Sequence, residues 1–534
     1  MSTKNVRDEG SSDQILALEQ APGAAASVSR RGFLGAVGCS GVGAALVGNV
    51  VEATAAGPGP DASASAVPGA PLPPGQALRV RPVLTYQFWK SRDQESWRSY
   101  GALQTQAEVE QEARRIEAEL RTLAGRAGFP IEVLPVKLVA DGAGAKQVAA
   151  EGCDTILLYA AGGMDAVYTI AAAQTPKVMF LRHKSGPHYL WYEIAHWRLL
   201  RQNGDTFEHP EMGVQDIVVD DYDELLWRLR ALYGLKNARG TKMLAIGGLL
   251  AYSEPAQKLG PTCAREVWGY QIESVTEEDF GRRLAKARAD AALMRQVEEQ
   301  AASLLATPNV TLQTERKFVV NSVLALRVVK DIMKEIGATN FGFARCMGRA
   351  VIGMLDTPPC LVLSLANDEG LTAYCHTDLS HTMPGVLLRW IAGKPTFVCN
   401  SHFPHQGLYT VAHCAAPRKM NGKDYEPARI MTHFESDYGA ATRVQYTKGQ
   451  IITAIIPNLH CTKWQGFRGT IVDTPSNPAC RSQMDIRIDG DWRKLQATMQ
   501  GFHTQVCYGD YLREVGYALS KIKKIAWENF SEPA

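Results

Sequence analysis

From Arg79 to about residue 400 the chain alternates short apolar runs with helical patterns; beyond it the runs turn short and β-rich. This alternation constrains the fold most, because strands joined by crossover helices pair in parallel. Arg79–Tyr86, Ile131–Val139, Asp154–Tyr159, Lys177–Arg182 and Gln215–Val219 read as strands, with helices at Ala107–Arg126 and Tyr222–Tyr233. A second unit opens with the strand Lys242–Ile246 and carries two long helical patterns, Glu277–Ala306 and Glu315–Ile336. Gly247-Gly248 follows that strand, but without a G-x-G-x-x-G it is not the dinucleotide fingerprint. Tyr409–Ala412, Ala428–Phe434, Thr442–Tyr446, Ile451–Ile456, Gly469–Val472 and Met484–Ile488 then suggest a small barrel or sandwich, ended by a helix at Tyr511–Ile522. The expected class is α/β: two doubly wound, Rossmann-like parallel-sheet domains, 79–240 and 241–392, then a β-rich, barrel-like domain, 393–534.

The stretch Leu371–His405 reads as strand, helix, strand and is unusually rich in chemistry. Four of the chain's 12 histidines lie here: His376, His381, His402 and His405. Asp378 or Ser380 can cap the helix, Pro384 is tolerated in its first turn, and Gly393 ends it. Read as a βαβ unit, the stretch pairs its two strands in parallel. His376 and Asn400 then both sit at carboxyl strand ends, where open α/β sheets bind ligands.

The first 78 residues have another character. Ser29-Arg30-Arg31-Gly32-Phe33-Leu34, an apolar Gly/Ala-rich run to Val51 and Ala53-Thr54-Ala55 form a signal peptide of the twin-arginine type over 1–56. A Pro/Ala/Ser-rich tether, 57–78, follows. The expectation is a folded, exported protein, periplasmic or extracellular, with no stable membrane insertion once the signal is removed. A formal net charge of +2 gives no basic field, so nucleic acid is not an expected partner. Of 11 cysteines, ten follow Cys39, and no CxxC pair assigns their chemistry.

Four further histidines occur as "VAHCAAP" (His413), "THFES" (His433), "NLHC" (His460) and "GFHTQVCYGDY" (His503). Taken in order, Cys375-His376-Thr377-Asp378, Ala392-Gly393-Lys394-Pro395-Thr396-Phe397, His413-Cys414-Ala415-Ala416-Pro417, His433-Phe434-Glu435-Ser436 and His503 before Gly509-Asp510 make a series. The series resembles that of the L-fucose and L-arabinose isomerases, most clearly in the C-terminal region.

The resemblance implies two α/β domains and a β-rich third, assembly as a trimer or hexamer, and a small carbohydrate substrate. It also implies a divalent metal, usually manganese, held by a glutamate, an aspartate and a histidine. Carried over, the metal positions are His376, Asn400 and His503. Two of these have lost the family's carboxylate, which moves the preference toward zinc or another transition metal. Asp378 and Glu435 are the candidate catalytic carboxylates, with helix capping and support of His433 as their alternative roles. His402 and His405 are candidate replacement ligands or a solvated loop. His413-Cys414 is discounted as a nucleophile pair, because neighbours on a strand face opposite sides. The expected function is metal-dependent aldose–ketose isomerisation or epimerisation with an altered metal site. The alternative is an exported carbohydrate-binding protein that keeps the fold without the chemistry.

Overall fold

The computed structural model describes residues 72–99, 101, 103–200 and 211–531; the signal segment and most of the tether lie outside them. The first sheet comprises β1 (Leu78–Thr85), β2 (Ile131–Val133), β3 (Lys137–Val139), β4 (Thr155–Ala160), β5 (Lys177–Leu181) and β6 (Ile217–Val219). Its order is β2–β1–β4–β5–β6, with β3 also on β1, and every pair is parallel. The run read as one strand, Ile131–Val139, is two, because Pro135 between them has no N–H to give a ladder. Central β4 is buried at all six residues, as a strand covered on both faces requires.

Arg182, just past β5, is fully buried. Its guanidinium bonds Glu112 and, at 2.6 Å, Glu119, both on the helix Gln106–Arg126. Tyr189 donates to Glu112 at 2.6 Å and Tyr222 donates to Glu119. Each buried charge therefore has a partner, as the cost of desolvation demands.

The next stretch supplies β7 (Lys242–Ile246), β8 (Gln271–Val275), β9 (Val310–Leu312), β10 (Asn340–Phe343) and β11 (Thr372–Cys375). All but β9 form a parallel sheet in the order β11–β10–β7–β8. The long helical pattern Glu277–Ala306 is two helices, Glu277–Ala289 and Ala291–Leu305. The break is Asp290, whose carboxylate caps the second through the Ala292 and Leu293 amides.

The C-terminal region holds β12 (Phe397–Ser401), β13 (Leu408–His413), β14 (Ala428–His433), β15 (Tyr438–Val444), β16 (Ile451–Pro457), β17 (Lys463–Asp473), β18 (Ser482–Asp489), β19 (His503–Tyr508) and β20 (Ala526–Asn529). Six of them run β16–β19–β12–β13–β18–β17, and β17 pairs back to β16, so the sheet closes on itself. The fold is mixed α/β, with parallel sheets and a closed six-stranded barrel in the C-terminal region. Strands β15, β14 and β9 make a small sheet of their own.

The βαβ topology expected for Leu371–His405 does not occur. β11 lies at the edge of the second parallel sheet, whereas β12 is a barrel strand with antiparallel partners β13 and β19. The helix between them, Leu379–Ala392, links two sheets rather than crossing over one. It is buried at every position except Trp390, including the polar Ser380, His381, Thr382 and Arg389, because other elements pack around it on all sides. It packs against the helix Tyr222–Ala238, where a Cβ on Gly234 would lie 2.2 Å from Ile391 Cγ1. Pro384 stands in the helix interior rather than its first turn.

One buried charge has no such compensation. Asp368, ending the helix Cys360–Asp368, accepts the Arg418 and Lys419 amides on Oδ1 at 2.8 and 2.7 Å. Its Oδ2 has no hydrogen-bond partner. Burial pushes the carboxyl up to about 7, against the pull of those amides and of Arg418. Among the described residues no single helix is long and apolar enough to cross a membrane.

Candidate functional site

The carboxyl end of β11 places His376 where the second sheet meets the barrel. His376 has φ +61°, a left-handed conformation uncommon outside glycine. Its Nδ1 lies 3.2 Å from the Ala344 carbonyl and its Nε2 2.9 Å from the Tyr252 hydroxyl. A carbonyl only accepts, so the neutral ring carries its proton on Nδ1 and accepts from Tyr252 on Nε2.

Tyr252 is held over His376 by the turn after β7. Gly247 and Gly248 have φ of +81° and +88°, which a side chain would strain. Thr377 Oγ1 donates to the Gly248 carbonyl at 2.9 Å and accepts the Leu250 amide at 2.8 Å. The Gly-Gly turn thus serves to hold an aromatic lid residue. Close packing fixes the other side of His376: a Cβ on Gly342 would stand 2.5 Å from its carbonyl oxygen. Gly342→Ala is expected to displace His376 and cost about 1–3 kcal/mol, read as a lowered urea midpoint together with a changed His376 imidazole NMR signal.

His376, Asn400, His503 and Glu435 line one cavity of about 50 Å³, with Tyr252 and Cys375 in its wall. Asn400 and His503 are cross-strand partners of β12 and β19. A space of this size has room for an ion or a water or two, not for a hexose. At its rim Tyr252 is 53% exposed and packs against Phe502, ring centroids 5.8 Å apart.

Asp378 takes a different place. Its Oδ1 caps the helix through the Ser380 amide at 2.8 Å, and it is buried outside the cavity lining. His381, in the first helical turn, and His503 lie beside it, with ring centroids 4.8 Å apart. Candidate ligand atoms of Asp378, His381 and His503 all fall within 4.8 Å of one another. In this cluster Asp378 Oδ2, both nitrogens of His381 and Nδ1 of His503 make no hydrogen bond of ordinary geometry. Burial pushes His381 down to about 3 and holds His503 well below its ordinary range, so both rings are neutral with a lone pair available.

The other candidates divide. Glu435 lies at the mouth, 57% exposed, with an oxygen 3.6 Å from His433 Nε2, so it both faces the cavity and supports His433. His402 and His405 remain in an exposed loop outside the cavity lining. His413 and Cys414 both line the cavity, contrary to the opposite-face reading, because β13 ends at His413 and frees the next residue from strand alternation.

His381, Tyr252 and Cys346 were not singled out from the sequence. The thiols of Cys346 and Cys375 approach to 3.0 Å, and Cys346 lies 3.9 Å from His376 Nε2. Burial opposes charge on His376, but Cys346 and the Ala344 carbonyl outweigh it and hold the ring above its ordinary range. Burial, with the Cys375 and Cys346 thiols, pushes the Tyr252 phenol up to about 12.

A mixed α/β fold with a barrel-side cavity of imidazoles and thiols defines the class of site only broadly, and similarity to known proteins adds little. No family model matches the chain, and no curated protein matches it. Among solved structures, a sugar ABC transport system substrate-binding protein from Bordetella parapertussis 12822 is similar at 13% identity over 56% of this chain and 83% of its own, with a TM-score of 0.14. A galactofuranose-binding protein is similar at 12% identity over 60% of this chain and 90% of its own, also with a TM-score of 0.14. Neither assigns a function here.

Proposed function

We propose that the chain is an exported, metal-dependent enzyme acting on a small polyhydroxylated carbohydrate, by isomerisation or epimerisation. On this reading the two parallel sheets are cores of two doubly wound domains, and the chain works as a homo-oligomer. The observation that carries the proposal is the group of buried polar atoms on Asp378, His381 and His503 that lack partners. Unpaired buried atoms are costly, and a divalent cation would satisfy one on each residue: a carboxylate oxygen of Asp378, one nitrogen of His381 and one of His503.

The ligand set differs from the one carried over by resemblance. His376 engages both ring nitrogens with Ala344 and Tyr252, while His381 has both free for a ligand. Two imidazoles and a carboxylate suit zinc or iron, and also manganese, better than magnesium or calcium. A cation held there would supply Lewis-acid polarisation of a substrate hydroxyl or carbonyl.

The remaining residues handle protons and position. Tyr252 donates to His376, so a substrate hydroxyl at the rim can pass a proton to the phenol oxygen as the phenol proton moves to Nε2. The raised affinity of His376 for a proton favours that direction. Glu435 is placed at the mouth for a second transfer, and Tyr252 and Phe502 offer apolar faces to a sugar ring.

Metal analysis of the purified full-length protein tests the reading. About one divalent ion per chain is expected, lost in both His381→Ala and His503→Ala together with aldose–ketose turnover. Tyr252→Phe should keep the metal and lower turnover by roughly 10²- to 10⁴-fold. A second reading, carbohydrate binding without turnover, is favoured by one observation: among the described residues Glu435 is the sole carboxylate lining the cavity. A metal-free wild type that binds sugar and turns none over would establish that reading instead.

A further inference from the structure

Two of the thiols around the cavity form a close pair. Cys375 ends β11, and Cys346 follows β10 by three residues; the parallel register Phe343–Cys375 brings the two loops together. Both sulfurs are buried, and their 3.0 Å separation is about 1 Å longer than a disulfide bond. Cys414 and Cys480 lie in the same cavity wall. Cys263 and Cys461 join the helix Glu254–Glu266 to the turn before β17. Of the ten described cysteines, Cys346 and Cys375 meet sulfur to sulfur, while Cys263 meets Cys461 only through the Cys461 carbonyl, at 3.6 Å.

We propose that Cys346 and Cys375 are a reversible dithiol–disulfide site, oxidised by a peroxide that enters the cavity. The cavity's 50 Å³ admits a molecule the size of hydrogen peroxide and excludes a bulky disulfide oxidant. Cys375, which lines the wall, attacks the peroxide oxygen; the O–O bond breaks, the Cys375 thiol proton leaves with the departing hydroxide as one water, and the sulfur becomes a sulfenic acid. Cys346 then attacks that sulfur, its thiol proton leaves with the hydroxyl as a second water, and the S–S bond closes. Two thiols and one peroxide become one disulfide and two waters, so two electrons pass from sulfur to oxygen. Closure draws Cys346 toward Cys375 and changes its contact with His376, so oxidation state reaches the Tyr252–His376 pair. The bond itself does not depend on the proposed enzymatic function.

The test uses the reduced full-length protein, treated with one equivalent of hydrogen peroxide, alkylated, digested and analysed by mass spectrometry. A Cys346–Cys375 linked peptide is expected, lost again on treatment with dithiothreitol. Cys346→Ser should abolish the link and leave Cys375 as a sulfenic acid, trapped by dimedone when the peroxide-treated protein is unfolded, whereas Cys399→Ser, at a buried thiol outside the cavity lining, should leave the link intact. Recovery of both Cys346 and Cys375 as alkylated free thiols in the wild type would overturn the proposal. So would their linkage to Cys360, Cys414 or Cys480 instead of to each other.

Discussion

Asp368→Asn should gain stability over the wild type steadily as pH rises from 4 to 7, by roughly 4 kcal/mol in all. The carboxyl titrates near 7 in the folded chain, because burial opposes its charge, and near 3.8 as a model group. A folded value above the unfolded one means that the protonated group favours folding. Its contribution is complete below about pH 4 and is lost as pH rises through 7. Asparagine keeps the Oδ1 acceptor for the Arg418 and Lys419 amides and carries no charge, so this loss disappears. Other groups titrate in the same window, which is why the difference between variant and wild type is the quantity to follow. Urea unfolding of both proteins at several pH values measures it, and a difference flat with pH would show that Asp368 is not neutralised by folding.

Arg182→Ala should destabilise the fold by about 3–5 kcal/mol. Removing the guanidinium leaves buried Glu112 with Tyr189 and, at 3.9 Å, Arg115 as its remaining partners, and leaves Glu119 with Arg115 and Tyr222. Replacing Arg182 by Met together with Glu112→Gln and Glu119→Gln should recover much of this loss, because no uncompensated charge then remains. A single Arg182→Ala variant with a wild-type denaturant midpoint would show that the cluster is already hydrated in the native state.

The residues that resisted reading are those placed by long-range topology. Alternating apolar runs marked β1, β4, β5 and β7, because fully buried parallel strands carry their signal locally. The partner of β12 had no local signal. The strand–helix–strand pattern at Leu371–His405 fits a parallel crossover equally well, and only β13 and β19 draw β12 into the barrel. Breaks at Pro135 and Asp290 were visible as residues, but apolar runs on either side masked them. Tyr252 meets His376 across 124 positions of sequence, beyond any spacing rule. His381 stood in plain view five residues after His376, and a lone histidine in the first turn of a buried helix ordinarily signals packing. What marks it is the missing hydrogen bond, which exists only in three dimensions.

Closure of the barrel has a consequence for synthesis. β19 is its last strand to leave the ribosome, and it seals the gap between β12 and β16. The same strand delivers His503 to Asp378 and His381. Until residues near 508 are made, a nascent chain therefore has both an open sheet edge and an incomplete ligand cluster. Sealing the barrel and assembling the cluster are one event, so a chain in which His503 has reached Asp378 and His381 has, by the same step, hidden an open sheet edge.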